Sequence, residues 1–407
     1  MRTNESIESV LLPHVEAGEL AGAAALTWRD GEIRDIATVG YRDLQTGLPV
    51  ERNTLFRIAS LTKPVTSMAA LMLIDEGRIG LDDPITACAP ELARMRVLRD
   101  AEGPLSATNA AARAITFRDL LTHRAGFTYA EFHRGPIGAA LATKLGKQID
   151  NPLTPDAWVE RLARLPLIDQ PGAAFHYGCS TDVLGILISR LEDAPLGEVL
   201  RRRVFAPLGM HDTGFTVPPE KRARRAGLCG FDDEGKLTTL AAAPGGHAMS
   251  ERPDDMTFES GSGGLWSTLD DYLAFVRALS EERPVVPQLL RPETRALMVT
   301  NQLSAGQRAT ARMFGRPIFA RGHGYGMGVA VVLEPGQADP LICRGGIGTI
   351  GWPGAYGSWW KADPTTRSVQ IFLTHNMLEL QQMARGVGLA VWSAIEKFHA
   401  LGESITV

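Results

Sequence analysis

The spacing of apolar positions divides the chain into three stretches. In the first, Ser6 to Ala17 carries apolar residues at helical spacing and predicts an amphipathic helix. Ala21 to Trp28 and Ile33 to Val39 are apolar runs of strand length, joined by Arg29-Asp30-Gly31, a strong hairpin signal. Thr54 to Ile58 predicts a short strand that leads straight into a helix. That helix is marked by Val65, Met68, Ala69, Met72 and Leu73 at i, i+3, i+4, i+7 and i+8, with Leu71 and Ile74 widening the apolar face. Pro64 belongs to its first turn, where a missing N–H does least harm, and Gly77 is a natural stop.

From Asp82-Asp83-Pro84 onward helical patterns dominate, broken by Pro- and Gly-rich turns: Thr116 to Leu121, Thr154 to Leu165, Ser180 to Leu191, Leu196 to Phe205 and Asp270 to Leu279. The last stretch returns to extended character. Gly324 to Leu333, Leu341 to Ile347, Ala355 to Ala362 and Ser368 to Thr374 predict a meander, and Leu380 to Ala400 a closing helix. The expected fold class is α/β (α+β): one antiparallel β-sheet flanked by helices, with an inserted mainly helical domain. Residues 1–83 and 322–407 would form the sheet domain and residues 84–321 the insertion, with an active site in the crevice between them.

Composition narrows the function classes. The 407 residues are 44% hydrophobic and 22% charged, ordinary for a globular protein, with a formal net charge of −4. Basic residues cluster only at Arg201-Arg202-Arg203 and from Lys221 to Arg225, short runs that read as solvated faces, so no nucleic-acid partner is expected. The N-terminus lacks the basic and apolar regions of a secretory signal, and no run is long enough to span a membrane. Cys88, Cys179, Cys229 and Cys343 are widely spaced and read as free thiols, so a reducing cytoplasm is the expected location. The nine histidines form no ligand cluster, and neither a metal nor another cofactor is expected.

The chemistry begins at Ser60-Leu61-Thr62-Lys63. A serine hydroxyl is a poor nucleophile until its proton has somewhere to go. Residues three apart on a helix are neighbours, so Ser-x-x-Lys at a helix start puts an amine beside the hydroxyl. The amine serves as a base only when uncharged, which requires burial or nearby positive charge. Ser358-Trp359-Trp360-Lys361 fits the same pattern, but its surroundings predict a strand, where positions three apart face opposite ways. Tyr177, in Phe175-His176-Tyr177-Gly178-Cys179-Ser180 just before an apolar helix, is a candidate proton relay. The Gly-x-Ser-x-Gly elbow of α/β-hydrolases is absent. His123 reads as holding a turn. His375, near a strand end, is either a structural residue or part of a pocket lining.

Together these motifs resemble the serine β-lactamase/penicillin-binding superfamily, and within it the class C β-lactamase-like branch with the family VIII carboxylesterases. The resemblance rests on Ser60 to Lys63, Leu120 to Gly126, Tyr177, Gly263 to Thr268 with Asp270-Asp271-Tyr272, and Gly351-Trp352-Pro353-Gly354, in that order along nearly the whole chain. It implies a β-lactamase/transpeptidase-like fold and acylation of Ser60, activated by Lys63 and Tyr177. It also implies an oxyanion hole made by the backbone N–H groups of Ser60 and Ala355. Two departures bear on substrate. The family's Tyr-x-Asn is here Tyr177-Gly178-Cys179, and Cys179 offers no amide to a β-lactam side chain. The family's Lys-Thr-Gly is here Trp352-Pro353-Gly354, so the lysine that would meet an antibiotic carboxylate is replaced by an indole.

A pocket rimmed by Trp352, Tyr356, Trp359 and Trp360, with Gly354, Cys179 and His375 as further contacts, would suit an uncharged, partly apolar group. The expected partner is therefore a small-molecule ester, and the expected enzyme a short-chain carboxylesterase. Alternatives with the same machinery are a β-lactamase (most readily on cephalosporins), a hydrolase of D-amino acid peptides or other amides, and an acyltransferase. A non-catalytic ligand sensor is the reading from another class. The presence of Ser60, Lys63 and Tyr177 together argues against it.

Overall fold

The computed structural model describes residues 5–133, 135–146, 149–240, 252–280, 287–313, 315–377, 382–383 and 385–404. The chain opens with helix α1 (Ile7–Glu16). Ser6 accepts from the Ser9 N–H and Ser9 returns the bond, closing a capping box, and the buried face is Ile7, Leu11 and His14. Strands β1 (Gly22–Arg29) and β2 (Glu32–Asp43) form the expected hairpin. At its tip Asp30 and Gly31 have φ of 49° and 91°, the left-handed pair that a two-residue turn needs to follow the strand twist. Strand β3 (Leu48–Pro49) pairs beside β2.

Strand β4 (Phe56–Arg57) stays out of this sheet and pairs with β5 (Trp266–Ser267). It feeds helix α2 (Thr62–Asp75), whose residues are buried on every side from Thr62 to Leu71. The polar residues that interrupt its apolar stripe, Thr62, Thr66 and Ser67, lie inside along with the rest. Beyond come α3 (Phe117–Leu121), α4 (Ser180–Glu192) and α5 (Leu269–Ser280). The later strands are β6 (His323–Tyr325), β7 (Ala330–Val332), β8 (Ile350–Gly351), β9 (Trp359–Asp363) and β10 (Ser368–Thr374), followed by α6 (Leu389–Ser404).

Among the described residues, eight strands form one antiparallel sheet in the order β6-β7-β8-β9-β10-β1-β2-β3. Its centre joins the two chain ends, with Ala23 opposite Thr374 and Arg29 opposite Ser368. Strand β1 is buried on both faces, and its side chains divide with the pleat: Ala24, Leu26 and Trp28 enter one core, Ala23 and Ala25 the other. Helix α5 packs on β10, while α1 and α6 pack together and α6 also meets β10. The fold is thus mixed α/β, a large antiparallel sheet flanked by helices. Among the described residues no helix is long and apolar enough to cross a membrane.

Several expected boundaries move. The run Gly324 to Leu333 is two strands, not one, because Gly328 at φ 97° lies in a turn between them. Leu341 to Ile347 is a loop, with Gly345 at φ 153° and Ile347 exposed, and the strand instead follows at Ile350–Gly351. The closing helix starts at Leu389 after Gly386 and Gly388, both at positive φ, while the expected start at Leu380 lies outside the described residues. Glycines that readily adopt left-handed backbone end regular structure more strongly than the apolar pattern extends it.

Candidate active site

Ser60 enters the site on a single tight turn, Ala59–Leu61, that runs into α2. Ala59 holds φ at 45°, a left-handed conformation that costs an L-residue roughly 1–2 kcal/mol. One helical turn on, Lys63 is 1% exposed and its Nζ lies 3.2 Å from Ser60 Oγ. Nζ also donates to the Ser262 carbonyl at 2.9 Å. Thr66 donates to the Gly261 carbonyl at 2.7 Å, and the Leu265 N–H donates to Thr62 at 3.2 Å. The buried polar residues of α2 thereby fasten the 261–265 segment along the helix. Tyr272, from the same motif region, donates to the Leu61 carbonyl at 3.0 Å.

Tyr177 completes the set, its OH 2.9 Å from Ser60 Oγ. The His176 N–H donates to the His123 carbonyl at 2.8 Å, which anchors the loop carrying Tyr177. A Cβ on Gly178 would meet Thr128 Cα at 2.4 Å, so only glycine lets this loop run against residues 127–129. That close approach sets Tyr129 edge-on to Tyr177, ring centroids 5.7 Å apart. Lys63 Nζ lies 4.6 Å from the Tyr177 ring centroid and 5.5 Å from that of Tyr129. Burial first, then the Asp182 carboxylate and Tyr177, push the Tyr129 phenol well above its ordinary range.

Trp352 is 1% exposed, and its indole N–H donates to the Tyr177 oxygen at 3.0 Å. The indole expected to form a substrate wall is in contact with the phenol that touches Ser60. His123 lies beneath, its ring 5.0 Å from that of Tyr177. It does sit at a turn, with φ at 52°. Burial, and secondarily the Lys63 charge, holds its imidazole far below the usual range, so it is neutral.

Gly354 packs tightly against the turn that carries Ser60: a Cβ there would lie 2.9 Å from the Ile58 carbonyl and 3.0 Å from Leu61 Cδ1. The Gly357 N–H closes a turn onto the Gly354 carbonyl at 3.0 Å, leaving Ala355 exposed at its corner. Among the described residues, the backbone N–H groups of Ser60 and Ala355 have no protein acceptor. Cys179 caps the start of α4, buried, its thiol pushed well up first by burial and then by Asp182. Tyr356 is 1% exposed and packs with Ala59, Leu228 and Met377. His375 is equally buried, its ring 6.1 Å from Phe56, with burial drawing its pKa down to about 4.

Trp359 and Trp360 do not form a common rim. Adjacent residues of β9, they point to opposite faces of the sheet. Trp359 lies tilted against His399 and donates to the Ile342 carbonyl, whereas Trp360 meets Tyr272. Three residues of the arrangement escaped sequence reading: Tyr129, Asp182 and Ser262. Asp182 did carry a signal, as an acidic residue inside the apolar run of α4.

The family described as Beta-lactamase matches residues 7–391. The chain belongs to the beta-lactamase family. Among its relatives, Protein Rv1367c of Mycobacterium tuberculosis (strain ATCC 25618 / H37Rv) is 42% identical over 366 residues, 90% of this chain and 88% of that one. Esterase EstB of Burkholderia gladioli is 30% identical over 376 residues, 88% and 87% of the two chains. Among solved structures, EstCE1, described as a hydrolase with promiscuous acyltransferase activity, superimposes with a TM-score of 0.75 at 25% identity, covering 96% of this chain and 97% of that one. The chain is therefore a member of the beta-lactamase-fold serine hydrolases that has esterase and acyltransferase relatives.

Proposed function

We propose that this member of the family hydrolyses short-chain carboxylic esters through an acyl-enzyme on Ser60. The observation that carries the reading is the contact of Ser60 Oγ with both Lys63 Nζ, at 3.2 Å, and Tyr177 OH, at 2.9 Å. Ser60 gives its proton to the Lys63–Tyr177 pair as its oxygen attacks the ester carbonyl. The N–H groups of Ser60 and Ala355 receive the developing negative charge, each such donor contributing about 3–4 kcal/mol. Tyr177 then returns a proton to the leaving alkoxide, and the indole N–H of Trp352 stabilises charge on the phenol oxygen in the interim. Water repeats the sequence on the acyl-enzyme and regenerates Ser60.

Trp352 also supports the choice of ester over β-lactam. Its N–H is committed to Tyr177, and it offers no cation to a substrate carboxylate. The two-domain division at residues 83/84 and 321/322 is proposed together with this site, since Ser60, Lys63 and Trp352 come from one part and Tyr177 and Ser262 from the other. A p-nitrophenyl acetate and butyrate assay tests the reading; no turnover by the wild type, or full activity in Ser60→Ala, removes it. A kcat/KM ratio well above one for nitrocefin over the short ester would reverse the substrate order. The description of EstCE1 favours one further outcome, partition of the acyl-enzyme to an added alcohol, read as transesterification product.

A further inference from the structure

Asp182 has no place in the steps above, and it is 5% exposed. A buried carboxylate is costly unless hydrogen bonds replace its water. Three donors from one short segment do so: Ser260 Oγ at 2.6 Å, Ser262 Oγ at 2.7 Å and the Ser262 N–H at 3.2 Å. The segment reaches α4 only because residue 261 is glycine, where a Cβ would lie 2.7 Å from the Thr181 carbonyl. The other end of the same residue faces the nucleophile, since the Ser262 carbonyl accepts from Lys63. Ser262 thus has a carboxylate on its hydroxyl and amide, and the Lys63 amine on its carbonyl.

We propose that Asp182 is a positioning residue for the reaction: through Ser260 and Ser262 it fixes the carbonyl that holds Lys63 beside Ser60. The proposal rests on the ester-hydrolase reading. Burial outweighs the opposing pull of both serines and Lys63 and leaves the Asp182 carboxyl above its ordinary range. The other titratable groups facing Lys63 are Tyr129, Tyr177, His123 and Cys179, with Glu131 beyond Cys179.

The test is Asp182→Asn, which keeps the shape and removes the charge. Displacing a reacting group by about 1 Å costs on the order of 10²-fold in rate, so kcat for p-nitrophenyl butyrate should fall by roughly that factor with KM changed less than about threefold. A merely structural Asp182 would lower the melting temperature and leave kcat in place, which overturns the proposal. If Asp182→Asn does not fold, Ser262→Ala is read instead: an unchanged kcat there also overturns it, and a severalfold loss at constant KM supports it. A fluorophosphonate probe separates the two claims. No Ser60 adduct in the wild type removes the hydrolase reading itself, whereas a wild-type adduct with an unaltered Asp182→Asn kcat removes only the role of Asp182.

Discussion

The chain contains the same tetrapeptide pattern twice, and the structure treats the two copies differently. Ser60 and Lys63 lie at the start of a helix, and their polar atoms are 3.2 Å apart. Ser358 and Lys361 lie at and within strand β9, where a three-residue step reverses the face. Ser358 instead donates to the Thr374 carbonyl at 3.0 Å and accepts from the Thr374 N–H at 3.1 Å, which ties β9 to β10. Both lysines are buried, at 1% and 2% exposure. Burial of an amine near a serine in sequence is therefore not sufficient for chemistry; the backbone must bring the two side chains to one side.

The largest expected effect separates the two serines. Ser60→Ala should lower ester hydrolysis by at least about 10³-fold, whereas Ser358→Ala should leave kcat within about twofold and cost about 1–3 kcal/mol of stability through the unpaired Thr374 groups. Stopped-flow kinetics beside a melting curve reads both, and a catalytic loss in Ser358→Ala would break the comparison. The lysines come next. Lys63→Met should reduce kcat by about 10²–10⁴-fold. Lys361→Met should act on the melting temperature, because it strips the buried Asp363 of a neighbouring positive charge.

A smaller effect sharpens what surrounds the helical copy. Trp352→Phe keeps the ring and removes the N–H from the Tyr177 oxygen, and a loss of about 10-fold in kcat corresponds to one hydrogen bond of about 1.4 kcal/mol. Unchanged kcat would reduce Trp352 to packing. The smallest contrast concerns pH. Each lysine has a buried, neutral histidine beside it, His123 near Lys63 and His399 near Lys361. With His375, these three titrate below the unfolded value of about 6.5. Below pH 6.5 the unfolded chain takes up protons that the native imidazoles refuse, so stability should fall from about pH 6.5 toward pH 4. His375, at about 4, accounts for about 3 kcal/mol of this. His375→Phe should flatten a urea-denaturation series across that window, and an unaltered slope would exclude burial as the cause.

Much of this protein was legible because it is local. The Asp30-Gly31 hairpin, the opening amphipathic helix, the Gly77 stop of α2 and the pairing of Ser60 with Lys63 are decided within a few residues, by dihedral preference and helical spacing. Tyr177 could be read from the sequence only as a candidate relay, and its partnership with Ser60 needed the family resemblance, since the contact spans 117 residues of chain. The strand expected at Leu341 to Ile347 failed for a local reason too: the turn at Gly345 outweighed its apolar positions.

What the sequence determined by itself was which residues carry reactive groups and which short segments take a helical or extended course. Only the tertiary structure decided that Trp352 bonds to Tyr177 across 175 residues, that Ser262 holds Lys63 across 199, and that Asp182 lies behind Ser262. Steric rules between near neighbours act on any chain, folded or not, and so can be read from spacing. Partners for buried polar groups are chosen only once the core closes and water is excluded, and no pattern along the chain records that choice.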